Sequence, residues 1–141
     1  MAIIPFDRFD VIRRQLDWAD GFRYDLQFYG NRTNGYVEVF TDKVAELKHE
    51  GFYETILNAG INEDENYAHI MQFWPNGKID EWESNCRKGI GSKMLELIIK
   101  DFTEEGAKLL FGRTFTKSMR NFFKKKNFVC SEDKNSYYKL L

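Results

Sequence analysis

The chain has 141 residues, 43% of them apolar and 16% aromatic, a composition that supports one packed core and excludes a disordered polymer. No stretch approaches the ~18 consecutive apolar residues of a membrane span, and the opening MAIIPFDRFD turns acidic with no basic lead, which argues against a secretory signal. The net charge of −1 hides a polarity: residues 1–83 hold 16 acidic and 8 basic side chains, residues 84–141 hold 6 and 13, so an anionic ligand is expected at the C-terminal half and a cationic one at the N-terminal half.

In chain order, Asp7 and Asp10 bracket a start resembling a capping box, and Phe9, Ile12 and Leu16 recur at helical spacing. The pattern predicts a helix over 7–18 that ends near Gly21. From Phe22 to Phe28 the apolar residues alternate; NRTNG is turn chemistry and YVEVF follows, so 22–40 reads as a hairpin. Residues 42–60 admit two readings: a short helix carrying Val44 and Leu47 and then a strand through FYETIL, or strand throughout. NEDEN at 62–66 is a loop, and YAHIMQFW-PNGK-IDEWES is a hairpin turning at Asn76-Gly77.

Ile90, Met94, Leu95, Ile98, Ile99 and Phe102 form one apolar stripe, the clearest helical signal in the chain, with Gly106 placed to end it. AKLLFGRTF then reads as a strand short and apolar enough to lie inside a sheet. KSMRNFFKKKNF reads as a second helix closed by Asn127, and NSYYKLL as a final strand. No repeat, low-complexity tract or linker interrupts the chain, so residues 1–141 are expected to form a single domain of mixed α/β (α+β) class.

The stretch CRKGIGSKMLELIIK sets Gly89 and Gly91 between a basic pair and that apolar stripe. Glycines so placed turn the backbone sharply into a helix and let it approach a charged group. The Walker A spacing fails, because no glycine stands in the required place before Lys93; the dinucleotide spacing fails at its third glycine, where Met94 stands.

What remains resembles the acyl-CoA pyrophosphate loop of the GNAT superfamily of N-acetyltransferases. Its Q/R-x-x-G-x-G/A motif falls on Cys86, Arg87, Lys88, Gly89, Ile90 and Gly91, with Ser92 following. SMRNFFKKKNF is similar to the family's second motif, and the likeness covers about residues 79–130. The resemblance implies a central mixed, mostly antiparallel sheet flanked by helices. It implies acetyl-CoA as cofactor and direct transfer of its acetyl group to an amine on a small molecule, a protein lysine or an N-terminus.

Cofactor contacts are then expected from residues 86–92, from Thr116, which takes the place of a family asparagine, and from Phe123, which falls where many members carry a proton-donating tyrosine. Candidate bases are Glu81 and Glu83, on one face of the strand beside the thioester, and His69 in the neighbouring strand. Tyr138 is a candidate replacement for the missing proton donor. Cys86 sits at the phosphate end and is poorly placed as a nucleophile. With no CxxC and no adjacent histidine, Cys86 and Cys130 read as free thiols in a cytoplasmic protein, and no metal site is expected.

The near-neutral net charge argues against a nucleic-acid partner. An exposed strand edge or a swapped C-terminal strand would allow a homodimer. The alternative reading is a catalytically degenerate GNAT-like module that binds coenzyme A or protein partners without turnover. Phe123 in place of the tyrosine and the polar strand IDEWES favour it.

Overall fold

The computed structural model describes residues 1–29, 35–75, 89–114, 116–131 and 135–141. Among the described residues the strands are β1 (Ala2–Pro5), β2 (Phe9–Gln15), β3 (Gly21–Phe28), β4 (Gly35–Lys43), β5 (Asn66–Trp74), β6 (Leu109–Arg113), β7 (Val129–Ser131) and β8 (Ser136–Leu140). They hydrogen-bond in the order β1-β2-β3-β4-β5-β6-β8-β7. The helices are α1 (Tyr53–Asn58), α2 (Ile90–Glu104) and α3 (Lys117–Lys125), with a 3₁₀ turn at Val44–Leu47. The chain divides into two compact units, 1–40 with 70–100 and 41–69 with 101–141.

In the first unit, β1 to β4 form an antiparallel meander. Ile3 stands opposite Ile12, Val11 opposite Leu26, and Tyr24 opposite Val37. Residues 9–15 are therefore a strand, and the helix expected over 7–18 does not form. Phe9 and Val11 both face the core, with Asp10 between them half-buried, which is the alternation of a strand. The β-branched pair Val11-Ile12 suits the pleat, and β2 has β3 along its whole length on one edge and β1 along residues 10–13 on the other. The helical spacing of Phe9, Ile12 and Leu16 was real but weak, and tertiary pairing overrode it. Helix α2 behaves as its stripe predicts: Ile90, Met94, Leu95, Ile98 and Phe102 are all buried.

The second unit packs Val44, Leu47, Phe52, Ile56, Tyr67, Leu109, Phe111 and Tyr138 into one cluster. The strand expected through FYETIL is instead α1, which buries Ile56. The Lys108 N–H donates to Asn66 O at 2.8 Å, which brings the starts of β5 and β6 together and makes these two strands parallel. The pairs β6–β8 and β7–β8 are antiparallel. The sheet is thus mixed and mostly antiparallel.

Both long helices end in the same six-to-one and five-to-two hydrogen-bond pair. Ala107 N donates to Phe102 O at 2.9 Å and Gly106 N to Thr103 O at 3.1 Å. After α3, Phe128 N donates to Phe123 O at 3.0 Å and Asn127 N to Lys124 O at 3.1 Å. Gly106 (φ +88°) and Asn127 (φ +67°) take the left-handed position this closure requires.

Beside the second closure, Phe123 stacks on Tyr137 with ring centroids 3.9 Å apart, and Phe128 meets both rings edge-on. Gly112 lies opposite Tyr137 in the β6–β8 register, and a Cβ there would overlap the Tyr137 hydroxyl and its ring. That ring is fully buried and held by Phe123, so it has nowhere to go. Gly112→Ala is therefore expected to cost about 1–3 kcal/mol through overpacking, read as a lower urea midpoint. An unchanged midpoint would contradict the close approach.

Candidate functional site

The start of α2 is set by one backbone choice. Gly89 has φ +73°, which turns the chain into the helix. The Lys93 N–H donates to Gly89 O at 3.0 Å as the first helical hydrogen bond. The amides of Ile90, Gly91 and Ser92 precede it and have no intrahelical acceptor, and the helix dipole adds partial positive charge there. A Cβ built on Gly89 would meet nothing within 4 Å. The glycine is needed for its φ, and the space beside it is open.

A cavity of about 460 Å³ opens at this helix start, lined by Asp7, Arg8, Phe9, Phe28, Tyr29, Ile90 and Lys93. Its size falls within the usual range for small-molecule sites. Phe9 and Phe28, partners across β2–β3 with ring centroids 5.4 Å apart, give it an apolar wall. Arg8 and Lys93 are exposed cations at its rim. The Tyr29 hydroxyl donates to Asp10 Oδ1 at 2.7 Å, and this hydrogen bond holds the phenol above its ordinary pKa. Orphan amides, two cations and an apolar wall suit a ligand that joins an anion to an apolar arm.

Arg8, Phe28, Tyr29 and Lys93 were not among the sequence candidates. The helical spacing over 7–18 marks Asp7 as part of a helix start and gives no sign of a site there. The β2–β3 register that sets Phe9 beside Phe28 is a nonlocal fact.

Gly89, Ile90, Gly91 and Ser92 lie in this first unit, with Ile90 and Gly91 buried and Ser92 half-buried. His69, Thr116, Phe123 and Tyr138 belong to the second unit. Glu81, Glu83, Cys86, Arg87 and Lys88 lie outside the described residues.

His69 sits on β5 with its ring 5.0 Å from Phe111, edge to face, and 6.3 Å from Tyr67. Burial, reinforced by the Arg113 cation and opposed by Asp42, pushes its pKa down to about 4. The imidazole is neutral at neutral pH and a weak base. Tyr138 is 7% exposed and stacks on Phe52 at 4.4 Å, so it belongs to the aromatic core.

Thr116 is the N-cap of α3: its Oγ1 accepts from Met119 N at 3.1 Å. Phe123 corrects the sequence expectation, because its ring is wholly buried between Tyr137 and Phe128 and has no surface left for a cofactor. Arg113 pairs with the Glu50 carboxylate, whose other oxygen is buried with no hydrogen-bond partner among the described residues. Among the described residues no group of His, Cys, Asp or Glu is arranged to hold a metal ion.

The shift at His69 links stability to pH. Its folded pKa of about 4 lies below the ordinary 6.5, so between those values the unfolded chain binds a proton that the folded chain refuses. The contribution is present above pH 6.5 and is lost as pH falls towards 4. At most it amounts to about 3 kcal/mol. Urea midpoints are expected to fall across this window in the wild type and to fall less in His69→Gln. Equal slopes in the two proteins would contradict the buried neutral imidazole.

No protein-family model matches the sequence, and no curated protein matches it either. Solved structures do. A mutant of the toxin AtaT, bound to the C-terminus of the antitoxin AtaR and acetyl-CoA, aligns with a TM-score of 0.52 at 12% identity, covering 85% of this chain and 67% of that one. AtaT complexed with acetyl-methionyl-tRNAfMet aligns with a TM-score of 0.51 at 13% identity, covering 85% and 71%. At such identities the likeness speaks for architecture. The mixed, mostly antiparallel sheet with its helices agrees with it, and the chain has the GNAT-like fold.

Proposed function

We propose that the protein is an acetyl-CoA-dependent N-acetyltransferase that passes the acetyl group directly to an amine. The observation that carries this reading is the open cavity at the start of α2, where a positive-φ glycine leads a helix whose first amides have no intrahelical acceptor and where two cations line the opening. A structure of the same fold bound to acetyl-CoA supports the choice of cofactor. A second, complexed with an acetylated aminoacyl-tRNA, supports an amine acceptor.

The residues present fit the cofactor's chemistry. The amides of Ile90, Gly91 and Ser92, with Arg8 and Lys93, would hold its diphosphate. Phe9 and Phe28 would cover the less polar arm. When bound, acetyl-CoA supplies an acetyl thioester already activated for attack.

The remaining requirement is a neutral amine, since an ammonium has no lone pair. His69, packed against Phe111 and Tyr67 with its pKa pushed down to about 4, is no stronger a base than an ordinary carboxylate. We assign removal of the ammonium proton to Glu81 or Glu83, the carboxylate candidates of the sequence, acting directly or through water. Tyr138, stacked into the core, is not assigned the role of acid; solvent can protonate the departing thiolate.

The second reading, a module that binds coenzyme A without turnover, is favoured by one observation. The position of the family's proton-donating tyrosine is a phenylalanine with a purely packing role.

Acetyl-CoA at millimolar concentration is expected to raise the melting temperature, because a ligand that binds only the folded chain stabilises it. The double variant Arg8→Ala/Lys93→Ala should lose most of that rise while keeping the melting temperature of the unliganded protein, both side chains being exposed. Absence of a shift in the wild type would overturn both readings. If the shift appears, thiol release with a panel of primary amines separates them: turnover that falls by about tenfold or more in Glu81→Gln/Glu83→Gln supports the transferase, and binding without turnover on any amine supports the module.

A further inference from the structure

A second cavity, of about 430 Å³, lies wholly in the second unit and plays no part in the account above. It is lined by Thr114, Thr116, Lys117, Arg120, Asn121, Lys124 and Asn135. Its described lining holds three cations and no carboxylate. Lys117, Arg120 and Lys124 stand at positions i, i+3 and i+7 of α3, one face of the helix. None of the three forms an ion pair among the described residues.

The wall is built to keep these donors in place. Asn135, at φ +51°, turns its carbonyl to accept from Thr114 N at 2.5 Å and from Thr114 Oγ1 at 3.2 Å. Its side-chain oxygen accepts from the Arg120 guanidinium, which orients the group and leaves its other N–H donors available. The Thr116 hydroxyl accepts the capping bond from Met119 N and keeps its own proton to donate. Like charges brought together this way repel one another unless an anion joins them.

We propose that this groove binds the phosphate groups of a nucleic acid strand. The spacing suits a strand, because Lys117 and Lys124 are separated by about 10 Å along the helix axis, a span that accommodates more than one phosphate. Mixed Lys, Arg, Thr and Asn donors are the usual set for phosphate backbones, which fix position without reading sequence. The net charge of the whole chain, −1, conceals this footprint because the acidic residues are concentrated in 1–83. If the acetyltransferase reading holds, on which this consequence rests, the acceptor amine is one carried by a nucleic acid.

The test is fluorescence anisotropy of a short fluorescein-labelled oligouridylate with the full chain, at about 50 and about 200 mM salt. The wild type is expected to bind and to weaken steeply with salt. Lys117→Ala/Arg120→Ala/Lys124→Ala should lose about tenfold or more in affinity and about two units of salt slope. Lys48→Ala/Lys100→Ala, which removes two cations outside the groove, should bind like the wild type. Circular dichroism melts check that each variant is folded.

The triple variant should also keep the full stabilisation by acetyl-CoA. No binding by the wild type at the lower salt, or equal binding by wild type and triple variant, overturns the proposal. Loss of the acetyl-CoA shift in the triple variant overturns it too, because the groove would then hold a phosphate of the cofactor. Oligonucleotide binding by a wild type that shows no acetyl-CoA shift would sink the transferase reading and leave the groove assignment standing.

Discussion

The first unit turns on a conformation that a single residue must supply. At Gly89 the backbone takes φ +73°, and an L side chain would be strained there even though space is open around it. That turn allows α2 to begin where it does, with Ile90 already buried and three amides without an acceptor inside the helix. Burial of Ile90, Met94, Leu95 and Ile98 then holds the helix in place. The cavity lies where apolar packing fixes the helix and its first amides have no acceptor within the helix.

The second unit is organised by aromatic stacking in a way that bears on its chemistry. Phe123, Phe128 and Tyr137 form one packed set, and Gly112 yields its side-chain space to Tyr137. Full burial drives the Tyr137 phenol far above its ordinary pKa, so it stays protonated. A hydroxyl added at Phe123 would need a partner inside that packing. Phenylalanine at 123 is therefore consistent with how this helix is seated.

Much of this was legible in the sequence, for identifiable reasons. The stripe from Ile90 to Phe102, Gly106 and Asn127 as helix closures, and the strands at 22–28, 67–74 and 107–115 are local patterns, and local patterns survive folding. Helix and strand at 9–15 were not separable locally, because FDVIRRQ carries apolar residues at both periods and its partners are 2–5 and 21–28. FYETIL failed the same way: its aromatic and β-branched residues suit a strand, yet Phe52 packing on Phe111 and Tyr138, with Ile56 in the same cluster, selects a helix. Arg8 and Tyr29 could not be read as site residues, since a hairpin register brings them to Lys93. The cationic groove was half visible, as a charge run on α3; Thr114 and Asn135, which complete it, come from β-strand ends 21 residues apart.

The central claim is that amides at the start of α2 receive the diphosphate of acetyl-CoA. Its most direct test is a two-dimensional amide NMR titration of the isotope-labelled protein with coenzyme A. Saturable shifts are expected for residues 90 to 93, with Arg8 and Tyr29 following the same isotherm. A titration that leaves those amides unmoved, or moves only residues remote from that helix start, would contradict it.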